Sequence, residues 1–418
     1  MQWLGLAAAG MSLALAVQAQ ALIDPAAALT EAPPAAGPQQ PASSAAGSSS
    51  ASSSANSAAS APARAAPAPS WLRLPKLQGR LTAADLGLLI NSKDPYSVAV
   101  GEYYARRRGI PEAQILRVQL PVRASLSLPE LEALQATVRQ RMGPQVQGLA
   151  LAWTQPYAVE CNSITSALAL GFQPEICKQS CAPSRPSPYF NYSGRKPFSD
   201  LGLRPSMLLA ARSVESAQAL IERGIAADHS LPSFLPAQAY FVSTPDAARS
   251  VRSVLFPPAS SIRALGLEAR RESSEALPAR LPRALLMVTG LARVEGLDRI
   301  EWLPGALADH LTSFGGLLER NSPQEQMSAL DWLESGATAS YGTVSEPCNH
   351  LQKFPHPQIL LLSYAQGLSA LEAYWHSVAW PGQGVFVGEP LAAPFAPPFL
   401  RQGSGDRAID SPPQTPPP

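Results

Sequence analysis

Histidine and cysteine, the side chains that most often bind metals or carry nucleophilic chemistry, are scarce: five and four in 418 residues. Any site built on them must use few and identifiable positions. Charge is sparse too, at 15% Asp, Glu, Lys and Arg, and nearly balanced at a formal +1. That leaves no basic field for a phosphate backbone, and no Lys/Arg cluster alternates with aromatics, so nucleic acid is not an expected partner. The one basic run, Arg106-Arg107-Arg108, reads as the solvated end of a helix, favourable at its negative pole. There is no G-x-G-x-x-G and no Walker lysine, so phosphate cradling is not indicated and no cofactor is expected. Beyond the leader, no apolar stretch reaches the about 20 residues a membrane helix needs. A repeat of fixed period is lacking as well.

What is present divides the chain. Residues 1–21 read as a signal peptide: Trp3 to Val17 is an uncharged apolar run, and Ala19 and Ala21 supply the small-residue pattern a signal peptidase accepts. Its amino-terminal region lacks Lys and Arg, and no cysteine follows for a lipid anchor. Cleavage after Ala21, or after Ala19, would export the chain to the periplasm or cell envelope, or outside the cell, with no transmembrane segment left. Residues 22–70 read as a disordered tether. From Glu31 to Ser70 nearly every residue is Ala, Ser or Pro, with Arg64 the one later charge, too little apolar surface to offset the entropy of ordering. Residues 401–418, ending SPPQTPPP, read the same way.

The remaining roughly 330 residues suffice for one large or two ordinary domains. Leu86–Ile90 reads as a strand, followed by a helix capped by Asp94, started by Pro95 and stopped by Gly109. Ile115–Leu120 and Val146–Trp153 read as strands around a helix opening at Ser127. Met207–Ser213, Ala239–Thr244 and Ala284–Leu291 continue the alternation. A helix capped by Asn321 or Ser322 and ended by Gly336 follows, then a strand at ATASYG, a helix over Ser369–Val378 and a closing strand in GVFVGEP. Alternation at this pitch predicts an α/β fold: a mainly parallel sheet with helices on both faces. Two α/β units are expected, 71–205 with a cysteine-containing loop and 206–400.

Three blocks carry a family resemblance: NSKDPYSVAVGEYYARRRGIP from Asn91, WTQPYAVECNSITSALALGF from Trp153, and the segments between Asp309 and Phe395 that include DHLTSFGG and GATASYGTVSEPCNHLQKFP. Together they resemble an uncharacterised bacterial exported family of genomes that carry exosortase. The resemblance implies a setting, surface-protein or extracellular-polysaccharide processing, and no reaction. A partial likeness to gingipain-like cysteine peptidases rests on the Gly336-Ala337 strand and the Gly388-Glu389-Pro390 turn. It implies a caspase-like fold for the second unit. No His-Gly pair exists in the chain, and DHLTSFGG offers Thr312 and Ser313 where that family has its cysteine.

The chemistry-bearing residues gather in two segments. In DHLTSFGG, Asp309 or His310 can polarise Thr312 or Ser313, while Gly315 and Gly316 can turn backbone N–H groups toward an anion; the same residues also suit a simple turn. In EPCNH, Cys348 lies near Glu346 and His350, and a thiol needs such a neighbour to become a nucleophile. Cys161, Cys177, Cys181 and Cys348 are disulfide candidates in an oxidising compartment, with three full pairings possible. Cys177 with Cys181, leaving Cys161 with Cys348, is one; zinc or free thiols are the other readings, although no histidine lies near the C-x3-C pair. The expected function is binding of a peptide, a polymer or an envelope partner through a pocket of both segments. The alternative is a peptide or ester hydrolase using His310 with Ser313 or Cys348.

Overall fold

The helix Pro95–Arg108 forms as its punctuation dictates. The Asp94 side chain accepts the Tyr96 N–H, Pro95 occupies the first turn, and Gly109 ends it at φ 66°. The helix Leu128–Arg141 opens with a Ser127/Glu130 capping box. These belong to a computed structural model describing residues 69–77, 79–231, 236–262, 265–319 and 326–397. The leader, nearly all of the tether, the tail and the expected Asn321 or Ser322 cap lie outside the described residues. The helix anticipated there is described from Ala329 to Ser335, capped by Ser328.

Fourteen strands are described: β1 (Leu86–Asn91), β2 (Ile115–Val118), β3 (Ser125–Leu126), β4 (Gly148–Leu151), β5 (Ala158–Val159), β6 (Asn162–Ser163) and β7 (Ser206–Leu208). They continue as β8 (Ala237–Ser243), β9 (Ser260–Ile262), β10 (Leu267–Ser273), β11 (Leu281–Thr289), β12 (Ile300–His310), β13 (Ala339–Thr343) and β14 (Gly384–Gly388). Eleven form one sheet in the order β2-β1-β4-β7-β14-β13-β12-β11-β8-β10-β9, while β3, β5 and β6 make a small second sheet. From β2 to β14 neighbours are parallel, and from β13 to β10 they are parallel again. Between these halves β13 and β14 pair antiparallel, from Ala339↔Gly388 to Thr343↔Gly384. The sheet is thus two parallel halves running in opposite directions, with β9 antiparallel at one edge. Strands of 71–205 and of 206–400 lie side by side in it.

Both faces are covered, so the strands read as continuous apolar runs rather than alternating ones. Leu88, Ile90, Met207, Phe241 and Phe386 pack with Tyr104, Ile221, Leu361 and Trp375 of helices on one face. Leu89, Leu151, Leu208 and Val387 pack with Leu134, Ala167 and Leu330 on the other.

Six strands were not anticipated: the short β3, β5, β6 and β9, and the longer β10 and β12. Within β12, Pro304 and Gly305 interrupt the apolar pattern; Gly305 has φ 82°, and the pairing with β11 shifts register before it resumes at Leu286↔Leu307. The other longer one, β10, spells LEARRES and lies next to the edge strand, where one face stays wet. The arginine run also needs correcting. Arg106 and Arg107 are exposed, but Arg108 is almost wholly buried between Glu389 at 2.6 Å and Asp228 at 2.5 Å.

Candidate functional site

In open α/β sheets, ligands settle outside the carboxyl ends of the strands, where loops diverge. At that edge of the second half, three such loops enclose a cavity of about 240 Å³. Ala248 and Arg249 follow β8, Leu311, Thr312 and Ser313 follow β12, and Glu346, Pro347, Cys348 and Asn349 follow β13, with Phe354 completing the wall. The DHLTSFGG and EPCNH segments therefore do meet in one cleft.

Their chemistry differs from the expectation. His310, 1% exposed, accepts the Trp332 Nε1–H at Nδ1 over 2.9 Å and donates from Nε2 to the Met327 carbonyl over 2.8 Å. Both ring nitrogens are thus committed. Burial, partly offset by Asp309, pushes its pKa down, which keeps the ring neutral. Asp309 is fully buried and ion-paired with Arg252, whose guanidinium also donates to the Thr289 carbonyl over 2.9 Å. Asp309 is therefore neither an orienting partner nor a ligand open to the cleft. Thr312 donates its hydroxyl to Gln326. Ser313 alone of the four is part-exposed in the cleft.

The glycines are corrected too. A Cβ on Gly342 would lie 2.3 Å from the Gly315 carbonyl carbon, and one on Gly316 would lie 2.7 Å from the Gly342 oxygen. The Gly316 N–H is spent on the Thr343 carbonyl at 2.9 Å. Gly316 and Gly342 thus stand where two backbones touch, and the Gly316 N–H is not free to face an anion.

On the other wall, Cys348 is bonded to Cys181 and Cys161 to Cys177. The pairing of Cys177 with Cys181 is thereby overturned: Cys177 ends in a short helix, Glu175–Lys178, beside the β5–β6 turn that carries Cys161. With Cys348 in a disulfide there is no thiol for a cysteine hydrolase, and no cysteine is free. Glu346 accepts the Cys348 N–H at 2.8 Å, closing a turn in which Cys348 and Asn349 both have left-handed φ, 59° and 48°. His350 is part-exposed and its pKa is lowered, by burial first and then by Lys353.

Three residues of the site went unread. Arg249 is held to Asp246 at 2.6 Å, and its Nε is buried with no hydrogen-bond partner. Arg252 counters Asp309 across 57 positions of sequence. Lys353 is fully buried, donates to the Ser180 carbonyl at 2.7 Å, and has its pKa lowered to about 8 by burial. Arg252 and Lys353 have no local signal, because the partners that define their roles are remote in sequence, whereas Arg249 pairs with Asp246 only three residues away.

Two solved structures resemble the chain in outline. One, described as "Structure of Protease", is 9% identical with a TM-score of 0.40, over 75% of this chain and 79% of that one. The other is the Arg-specific cysteine proteinase gingipain R, 10% identical with a TM-score of 0.36, over 77% of this chain and 80% of its own. Likeness this loose transfers no residue and no reaction. No family model matches the chain, and no curated protein does.

A second cavity, about 380 Å³, opens at the carboxyl ends of β1, β4 and β7. Its polar groups are partnered within the chain: Tyr96 donates to the Leu209 carbonyl, Thr154 to that of Ala211, and, at the exposed rim, Gln155 to Glu319. Arg212 is ion-paired with Asp331. Among the described residues no cluster of three metal-ligating side chains occurs, and no helix is long and apolar enough to cross a membrane.

Proposed function

We propose that this is an exported envelope protein that binds rather than cleaves, using the cleft between Leu311–Ser313 and Glu346–Asn349. One observation carries the reading: His310, the base any hydrolase here would need, has both nitrogens bonded inside the core. What the cleft offers a ligand is the Ser313 hydroxyl, the Asn349 amide, and the Arg249 and Glu346 charges, set beside Leu311, Pro347 and Phe354. That mixture suits one side chain or one sugar ring of a larger peptide, polymer or partner protein. The leader and the tether support a place in the envelope, and the family resemblance supports a setting of surface-protein or polysaccharide processing.

The test uses the exported chain and its Ser313→Trp variant against arrays of peptides and envelope polysaccharides. Retained fold with binding weakened at least about tenfold in the variant is expected, since filling a cleft removes its contacts. In parallel, a fluorophosphonate probe should leave Ser313 unlabelled. A stoichiometric adduct on Ser313 would overturn the reading in favour of a serine hydrolase.

A further inference from the structure

The cavity of about 380 Å³ outside β1, β4 and β7 has a one-sided hydrogen-bonding character. Two hydroxyls line it, and each spends its one proton on the backbone. Tyr96 donates to the Leu209 carbonyl at 3.0 Å and Thr154 to the Ala211 carbonyl at 2.9 Å. A hydroxyl whose proton is committed can only accept. Two carboxylates stand beside them, Asp94 and Glu319, and neither belongs to an ion pair among the described residues. Asp94 is only 8% exposed and accepts the Tyr96 N–H at 3.0 Å. Burial raises its pKa, and backbone N–H groups pull the other way. Negative charge reaches the cavity's phenol as well: burial first, then Asp94 and Glu334, push Tyr96 above its ordinary range. Arg212, also at the cavity, is ion-paired with Asp331. Apolar surface adjoins these acceptors. Leu318 belongs to the wall, and Val122, 53% exposed, is one of three large apolar side chains facing water among the described residues.

We propose that this cavity is a second binding site, for a primary ammonium group on an aliphatic stem, the chemistry of a lysine side chain. The three N–H donors of an ammonium meet acceptors supplied by separate residues, Asp94, Tyr96, Thr154 and Glu319, and the two carboxylates counter its charge. A guanidinium suits the site less. Its fixed fork asks for both oxygens of one carboxylate, and each carboxylate here already gives an oxygen to a partner in the chain. The methylene stem lies along Val122 and Leu318, as amphipathic side chains lie on apolar surface. No residue is shared with the cleft between Leu311–Ser313 and Glu346–Asn349. The ammonium site therefore stands or falls independently of the binding function proposed for that cleft.

The experiment titrates the full chain by calorimetry at low salt with end-blocked tripeptides, alanine on either side of lysine, norleucine or arginine, and with n-butylamine. The lysine peptide should bind at least about tenfold more tightly than the norleucine one, which keeps the stem and lacks the charge. That lead should shrink as salt is added. Asp94→Asn removes the charge and keeps the helix cap, since asparagine caps as well as aspartate. It should weaken lysine binding about tenfold and leave the norleucine peptide unaffected, with circular dichroism reporting an intact fold. Glu319→Gln, on the exposed rim, should weaken lysine binding in the same sense and carries no risk to the cap. Butylamine bound as tightly as the peptide identifies a free amine as the ligand, whereas tighter peptide binding identifies a lysine of a partner chain. No binding of the lysine peptide at about 10 mM, equal binding of lysine and norleucine, tighter binding of arginine, or unchanged affinity in both variants would overturn the proposal.

Discussion

His376 sits in the last turn of the helix Ala370–Ser377, its ring edge-on to Tyr189 at 4.5 Å, with Nε2 buried and unpartnered. Burial lowers its pKa to about 3. Above about pH 6.5 the ring is neutral whether the chain is folded or not. Below that, the unfolded chain takes up a proton that the folded one refuses until about pH 3, so stability is full above the window and falls through it. His356, at about 4, acts in the same sense. Glu372 and Asp228, raised by burial, act oppositely, losing their contribution as pH rises. The comparison must therefore be made against a variant. In His376→Phe, the stability lost between pH 7 and pH 4.5 should shrink by about 2–3 kcal/mol; denaturant titrations at both pH values check it, and an unchanged loss would refute the assignment. At this scale the sequence was read unevenly. Caps such as Asp94 and Ser127 were legible because their partners lie two or three residues away. The inertness of His310 was not, because Trp332 and Met327 reach it through the fold.

Between elements, the approach of the loop after β12 to β13 depends on having no Cβ. Gly342→Ala would place a methyl 2.3 Å from the Gly315 carbonyl carbon, which is backbone and cannot rotate away. A loss of about 3 kcal/mol or more is expected, at the severe end for a one-methyl change, measured as a lowered midpoint in urea. Neutral behaviour would mean that the loop is not held where it is described. The strands around this contact divide by how local their signal is. Buried strands such as β1 and β11 announce themselves as apolar runs. β12 conceals itself behind Pro304-Gly305, whose irregular backbone is absorbed by a register shift against β11. Since β12 delivers Asp309 and His310, missing it left those residues looking like an exposed loop.

At the scale of the whole molecule, a single sheet joins what the sequence divides near residue 205. The ion pairs of Arg108 with Asp228 and Glu389 add a buried polar link between the same stretches, and breaking such a pair from one side costs about 3–5 kcal/mol. A single cooperative unfolding transition is expected, with tryptophan fluorescence and far-ultraviolet circular dichroism coincident. Two separated transitions would restore two independent units. The alternation of strands and helices made the parallel sheet legible. The reversal between its halves was not, because pairing partners far apart in sequence leave no local pattern.

That reversal constrains the order of events as the chain emerges and folds. β14 ends at Gly388, yet it stands between β7 and β13 near the centre of the sheet. Until the last residues of the globule have emerged, β7 and β13 each present an open hydrogen-bonding edge, the kind that recruits other chains. The N-terminal half cannot finish early and wait for the rest. A chain halted before Gly384 would carry nearly all of the core and still have no closed form. Emergence of the chain and closure of the fold are thus matched in length, and the last strand to arrive is the one that seals both halves.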